Sequence, residues 1–90
     1  MVKKLFKITS ESGVHARPAT NLVNTAMDFD CEIRLTALRR TVDFKSIMGV
    51  MSLGIYSGTT IEITCEGSDE ESAMSAIENT IINLKLGKEV

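Results

Sequence analysis

Residues 60–66, Thr-Ile-Glu-Ile-Thr-Cys-Glu, alternate polar and apolar side chains without a break, and Gly67 ends the pattern. Because successive side chains of a β-strand point to opposite faces, this alternation predicts a strand with one face buried and the other in water. Half-exposed strands are typical of an antiparallel sheet that is covered on one face only. The long Val/Ile runs of a parallel, doubly wound sheet occur nowhere in the chain.

Three earlier segments show the same alternation less regularly. They predict strands at residues 2–8, 32–35 and 41–44. The link between the second and third of these strands, Thr36 to Arg40, contains no Gly or Asn. It is therefore a poor signal for a two-residue hairpin.

Two segments with helical spacing lie between these strands. Apolar residues at i, i+3, i+4 and i+7 predict a first helix over roughly residues 16–27, with Pro18 in its first turn. Ser46 is a suitable cap for a short helix over residues 47–53, which Gly54 would end.

A last helix is predicted to begin at the capping box Ser68–Glu71 and to end at Gly87. The residues expected on its inner face are Ala73, Ile77, Ile81 and Leu84. The element order is therefore strand, helix, strand, strand, helix, strand, helix. This order predicts a single α+β domain over residues 1–90, with a four-stranded antiparallel sheet and three helices on one face.

Composition narrows the classes of function. A net charge of −2, the absence of Trp and a single Tyr argue against nucleic-acid binding. The N-terminal segment lacks the continuous apolar stretch of a secretory signal, and no stretch of 18 apolar residues is present, so we expect a cytoplasmic protein without membrane insertion. One His, together with Cys31 and Cys65 far apart in sequence, makes a metal site improbable, and both thiols are expected to face the core.

The single histidine stands in the segment Gly13-Val14-His15-Ala16-Arg17-Pro18-Ala19, at the expected start of the first helix. Backbone N–H groups at a helix start lack intrahelical partners and form an anion site. Arg17 adds a guanidinium that can bind phosphate oxygens in a fork. The segment therefore indicates phosphate handling with His15 as nucleophile, although a lone His beside a helix start is more often a surface or capping residue, and the spacing alone leaves that alternative open.

The predicted two-turn helix carries apolar side chains all around its axis. It lies in the segment Lys45-Ser46-Ile47-Met48-Gly49-Val50-Met51-Ser52-Leu53-Gly54. Such a short helix at a sheet edge cannot bury all of them, which suggests a partner-docking patch. Methionine suits a surface that must fit several partners. The alternative, that all five apolar residues belong to the core, stays open on this evidence.

Together these two segments resemble the two signature segments of the HPr family, the histidine-containing phosphocarrier proteins of the bacterial phosphoenolpyruvate–sugar phosphotransferase system. The resemblance spans nearly the whole chain, since length and element order also match. The serine-centred segment is similar to the form found in low-GC Gram-positive bacteria. The chain departs from the family pattern at Ala37–Arg40, where members usually carry a Gly-containing turn.

The resemblance implies an open-faced sandwich in which the second and fourth strands are neighbours, so that Cys31 and Cys65 could lie close together. It also implies that His15 accepts phosphate on Nδ1 from Enzyme I and donates it to IIA domains of sugar permeases, with Arg17 steadying the phosphate. Ser46 would be phosphorylated by HPr kinase/phosphorylase, and that form would bind a catabolite-control transcription regulator. The residues expected to contact partners are Ala16, Thr20, Ile47, Met48 and Met51.

On this interpretation the chain is a monomeric phosphoryl carrier with no cofactor and no turnover of its own. Three alternatives stay open. One is a purely regulatory interaction protein that acts through phosphorylated Ser46, one is a nitrogen-branch paralogue with the same chemistry, and one is an anion-binding module without phosphoryl chemistry.

Overall fold

The computed structural model describes all residues, 1–90. Eight elements follow one another along the chain. The strands are β1 (Val2–Ile8), β2 (Glu32–Ala37), β3 (Arg40–Asp43), β4 (Thr60–Glu66) and β5 (Gly87–Glu89). The helices are α1 (Ala16–Met27), α2 (Ile47–Ser52) and α3 (Glu70–Asn83).

The strands form one antiparallel sheet in the order β3-β2-β4-β1-β5. The central strand β4 has alternating burial, with Ile61, Ile63 and Cys65 buried. These side chains join a core of 23 buried residues to which all three helices contribute. The outward-facing side chains of the sheet are largely exposed, so the helices cover one face, as the alternation predicts.

The sheet has five strands, and the prediction of four was wrong at the C-terminus. The predicted end of the last helix was Gly87, but α3 ends at Asn83 and Lys85 takes a left-handed φ of 55°. The N–H of Leu86 donates to the Ile81 carbonyl and that of Lys85 to the Ile82 carbonyl, both at 3.0 Å, which is a Schellman motif.

Gly87 serves a different purpose from the one predicted. A Cβ on this residue would lie 2.2 Å from the Lys7 carbonyl oxygen, so its lack of a side chain lets β5 approach β1. Leu84, predicted on the inner face of the last helix, caps α3 and is 37% exposed. Leu86 is buried in its place.

The predicted capping box at the start of the last helix is also absent. Asp69, not Ser68, is the N-cap of α3, and it makes no side-chain cap bond. Its carboxylate instead accepts hydrogen bonds from the backbone N–H groups of Asp30 at 2.8 Å and Cys31 at 2.9 Å. These bonds lower the pKa of Asp69 and fix the link between α1 and β2 to the start of α3.

The turn that departs from the family pattern is a two-residue hairpin. Leu38 and Arg39 connect the paired residues Ala37 and Arg40, with φ values of 52° and 69°. Positive φ at both central positions is the geometry of a type I′ turn, which Asn and Gly normally supply. The strand pairing holds two ordinary side chains in this conformation, which is why composition gave so poor a signal.

The two cysteines lie in the core as free thiols, 3% and 0% exposed. β2 and β4 are neighbours, with Ile33 paired to Cys65. Burial raises the pKa of Cys31 to about 12 and also raises that of Cys65. In addition, no helix combines the length and apolar character needed to cross a bilayer.

Candidate functional site

The loop before α1 is fixed by Gly13. This residue has a φ of 63°, and a Cβ on it would lie 2.4 Å from the Ile55 carbonyl oxygen. The same oxygen accepts a hydrogen bond from the Val14 N–H at 3.0 Å. A left-handed turn and a close backbone approach therefore both require glycine here, and together they orient the next residue, His15.

His15 is the N-cap of α1, with an extended backbone. Its carbonyl accepts the first helical hydrogen bond, from Ala19 at 3.0 Å, but its side chain caps nothing and the residue is exposed. The imidazole is therefore accessible from solvent at the positive end of the helix dipole.

In the first turn of α1, two backbone N–H groups are unpartnered beside the imidazole. The N–H groups of Ala16 and Arg17 donate to no acceptor in the protein. Pro18, the third helical residue, has no N–H, and the Ala19 N–H is used by His15. The helix start thus offers two N–H groups that can bind an anion.

Arg17 and His15 line the same depression, of about 200 Å³. The guanidinium is exposed and forms neither a salt bridge nor a hydrogen bond within the protein. No carboxylate lines the depression, whose other walls are Ser10, Pro18, Asn21, Leu84 and Leu86. A nucleophilic ring and a free bidentate cation therefore share one small, carboxylate-free concavity.

Ser46 caps α2, as expected. Its Oγ accepts a hydrogen bond from the Gly49 N–H at 3.0 Å, and the residue is half-buried. A Cβ on Gly49 would lie only 3.3 Å from both this Oγ and the Val42 Cβ, so glycine permits the close fit of cap and helix.

The apolar residues of α2 divide between core and surface. Val50 and Leu53 are buried, whereas Ile47, Met48 and Met51 are 38%, 78% and 40% exposed. The expectation that this short helix cannot bury all five apolar side chains is confirmed, because three of them face solvent. The alternative that all five belong to the core is wrong.

A groove of about 290 Å³ lies between α1 and α2. Thr20, Met27 and Ile47 line it, and Met27 is 62% exposed. The Thr20 hydroxyl donates to the Ala16 carbonyl at 2.8 Å, so this groove lies one helical turn from the residues at His15. Met48 and Met51 do not line the groove, and they are exposed elsewhere on α2.

Sequence reasoning missed four residues of the groove, which are Val23, Asn24, Met27 and Lys45. A signal was available, because Thr20, Val23, Asn24 and Met27 stand at i, i+3, i+4 and i+7 and therefore share a helix face. Lys45 could not have been found this way, since its ammonium reaches the link that follows α1, where it donates to the Phe29 carbonyl at 2.6 Å.

The chain also contains no cluster of three or more His, Cys, Asp or Glu side chains that could hold a metal ion.

Comparisons with known proteins agree with this geometry. A family model described as "PTS HPr component phosphorylation site" matches residues 2–83. The histidine-containing phosphocarrier protein of Mycoplasma is 38% identical, with a TM-score of 0.94 over 96% of this chain and 98% of that one. HPr from Bacillus anthracis is 42% identical, with a TM-score of 0.81 over 88% of this chain and 94% of that one.

Crh of Bacillus subtilis, a catabolite repression protein described as a domain-swapped dimer, is 31% identical, with a TM-score of 0.71 over 86% of this chain and 88% of that one. The family model and these structures, taken with the fold and the helix-capping histidine, show that the chain belongs to the HPr family of phosphocarrier proteins of the phosphotransferase system.

Proposed function

We propose that the protein accepts a phosphoryl group on His15 from Enzyme I, which is charged by phosphoenolpyruvate, and donates it to IIA domains of sugar permeases. The observation that carries this proposal is the exposed imidazole of His15 beside the free N–H groups of Ala16 and Arg17. Membership of the HPr family supports the phosphocarrier role itself.

Each transfer is an in-line exchange at phosphorus. The lone pair of a ring nitrogen of His15 forms the new N–P bond while the bond between phosphorus and the donor group breaks. The oxygens of the moving group gain hydrogen bonds from the two amides and from the Arg17 guanidinium. The reverse exchange, with an IIA domain as acceptor, regenerates the free imidazole.

The site stabilises the phosphoryl group only moderately, which suits a carrier. One arginine and two amides, open to solvent, hold a phosphate less firmly than a closed cage of cations would. Transfer therefore remains reversible, and positioning in the complex with each partner supplies the rate. The protein would turn over nothing alone and would be a substrate of other enzymes.

Partners would dock on the surface next to the site. Ala16 and Thr20 on α1 and Ile47, Met48 and Met51 on α2 are exposed and largely apolar or neutral. Exposed methionine side chains adapt to different surfaces at a small energetic cost, which fits a protein that must bind both a donor and several acceptors.

Ser46 would regulate this docking. We propose that HPr kinase/phosphorylase phosphorylates it and that the product binds a catabolite-control transcription regulator. A phosphate at the N-terminus of α2 is favoured by the unpaired amides there, yet it places about two negative charges beside Ile47 and Met48. Docking of Enzyme I would weaken as a result.

The second candidate function is a purely regulatory protein that acts only through Ser46. It is favoured by the 31% identity to Crh, a catabolite repression protein. The presence of His15, with its free donors, supports the carrier instead.

We further propose that the protein works as a monomer in the cytoplasm. Its two free buried thiols are compatible with a reducing compartment. Sedimentation at working concentrations would test the monomer. That test is informative because Crh and an HPr from Thermoanaerobacter tengcongensis are both described as dimers.

One incubation tests the carrier function. The protein is mixed with Enzyme I and labelled phosphoenolpyruvate, and the expected label on the protein is acid-labile and base-stable. His15→Ala should lose all of it, whereas Ser57→Ala, in an exposed loop, should keep it. If the wild-type protein takes up no label, the carrier function is contradicted. If His15→Ala still takes up label, the phosphorylation site lies on another residue.

The regulatory part needs a separate assay. Ser46→Asp should slow transfer from Enzyme I, because negative charge repels the docking surface and reduces apolar burial. Ser75→Asp adds the same charge at an exposed position of α3 and should transfer normally. Equal kinetics for both variants would contradict the proposed effect of Ser46.

A further inference from the structure

Two polar side chains of the His15 depression, those of Ser10 and Asn21, have no hydrogen-bond partner in the protein. Ser10 lies in the loop after β1, half-buried, and Asn21 lies on α1, exposed, and both line the depression that contains His15 and Arg17. Neither the Ser10 hydroxyl nor the Asn21 amide forms a hydrogen bond within the protein, although the hydroxyls of Thr20 and Thr25 on the same helix both do.

The backbone holds both residues at the site. The Ser10 N–H donates to the Leu86 carbonyl at 3.1 Å, and the Ser10 carbonyl accepts from the Gly13 N–H at 3.0 Å. Asn21 follows Arg17 by four residues, so the two side chains share a face of α1. Helical side chains lean toward the N-terminus, so Asn21 leans back over Arg17, toward His15.

We propose that Ser10 and Asn21 are two further hydrogen-bond donors to the phosphoryl group on His15, and that they set the transfer equilibrium between this protein and its donor. The proposal rests on the proposed function, because it requires phosphorylated His15. It adds two side-chain donors to the two amides and the guanidinium already described.

The chemistry of the depression supports this assignment. A phosphoryl group brings three acceptor oxygens and nearly two negative charges. The depression offers a hydroxyl, a carboxamide and a guanidinium, all unpartnered, and no carboxylate that would compete for them or repel the phosphate. Neutral donors add hydrogen bonds without the strong attraction of another cation, so they raise phosphoryl affinity by a small step and leave the group transferable.

The test compares transfer equilibria between phosphorylated Enzyme I and variants of this protein. Ser10→Ala and Asn21→Leu should each shift the equilibrium toward the donor by about twofold to tenfold, the worth of one hydrogen bond in an open site. Each should also move the ³¹P resonance of the phosphohistidine. Ser10→Thr and Asn21→Gln keep the donor and should restore most of the wild-type equilibrium.

Controls separate a phosphate contact from a structural effect. Asn79→Leu changes an exposed asparagine of α3, outside both the depression and the groove between α1 and α2, and should leave both readouts unchanged. The unphosphorylated variants should unfold at the wild-type temperature.

Three results would overturn the proposal. Wild-type equilibria and ³¹P shifts in both variants would exclude the two donors while leaving the carrier function intact. Shifts equal to those of Asn79→Leu would show a general effect of changing the protein surface. A wild-type protein that takes no phosphoryl group on His15 would instead contradict the proposed function itself.

Discussion

At the scale of single residues, the site depends on Gly13, Pro18 and Arg17, which set the loop conformation, the number of free N–H groups and the free cation beside His15. Gly13 directs the chain so that His15 caps α1, and Pro18 removes one of the amides that a helix start normally offers. The motif was visible in the sequence and correctly placed His15 at a helix start. The loss of one amide follows from the predicted helix as well, because a helix over residues 16–27 makes Pro18 its third residue and proline has no N–H.

Arg17→Lys tests how much the bidentate hydrogen bonding of the Arg17 guanidinium contributes to transfer. Lysine keeps the positive charge but loses the planar, bidentate geometry, so transfer from Enzyme I should slow by about tenfold, the worth of one charge-assisted hydrogen bond. Stopped-flow transfer kinetics would measure this. Arg34→Lys, on the exposed face of β2, is the matched control and should transfer normally. Wild-type rates for Arg17→Lys would mean that the helix amides suffice.

At the scale of elements, alternation and helical spacing predicted every helix and four of the five strands. The errors lie where a helix begins or ends. Asp69 caps α3 at its backbone while its side chain binds another segment, and Lys85 ends the same helix in a left-handed conformation that glycine usually adopts. Both depend on contacts between distant parts of the chain, with Asp30 and Cys31 in one case and with β1 in the other, which local composition does not encode.

The hairpin between β2 and β3 holds non-glycine residues in a left-handed backbone conformation, and glycine would relieve this strain. Arg39 has a φ of 69°, where a side chain costs about 1–2 kcal/mol. Arg39→Gly should therefore raise the free energy of unfolding by about 0.5–1 kcal/mol, once about 0.5–1 kcal/mol is subtracted for the greater entropy of glycine in the unfolded chain. Urea unfolding would measure the change. Arg40→Gly, one residue on, should destabilise, because the Arg40 guanidinium donates to the Ser52 carbonyl at 2.9 Å. A loss of stability in Arg39→Gly would contradict this account of the turn.

The Asp69 carboxylate gives the fold a pH dependence of known sign. Hydrogen bonds from the N–H groups of Asp30 and Cys31 lower its pKa below 3.8 in the folded state. Its stabilising contribution is therefore present above pH 4 and is lost as the pH falls through the lower, folded value. Urea unfolding from pH 2 to 7 should show a flatter profile for Asp69→Asn than for the wild type. Asp28→Asn, at an exposed position, is the control. Identical acid profiles for Asp69→Asn and wild type would contradict the assignment.

At the scale of the whole molecule, the sheet leaves one face to solvent, while the helices on the other face present the His15 depression and the proposed docking surface together. The overall architecture and the partition of the two cysteines into the core could be predicted from the sequence, because both follow from alternation. The groove between α1 and α2 could not, because it depends on how two helices pack around Thr20, Met27 and Ile47. The fifth strand was missed because its three residues are too few to show an alternation.

Met48→Glu tests whether the surface of α2 is used in docking. Met48 is 78% exposed, so the change should not alter stability, but it should raise the KM for this protein in transfer from Enzyme I by about fivefold to tenfold. Ile82→Glu places the same charge on α3 at a residue that is 52% exposed, and it should leave the KM unchanged. Equal KM values for Met48→Glu and the wild type would remove Met48 from the docking surface.

The position of the phosphorus atom tests the central claim most directly. The ¹⁵N-labelled protein is phosphorylated with Enzyme I and phosphoenolpyruvate, and its imidazole nitrogens and backbone amides are observed by NMR with ³¹P coupling. We predict phosphorus bonded to Nδ1 of His15, with the largest amide shifts at Ala16 and Arg17, the two N–H groups that lack a partner. Phosphorus bonded to any other residue, or unshifted Ala16 and Arg17 amides in the phosphorylated protein, would contradict the account.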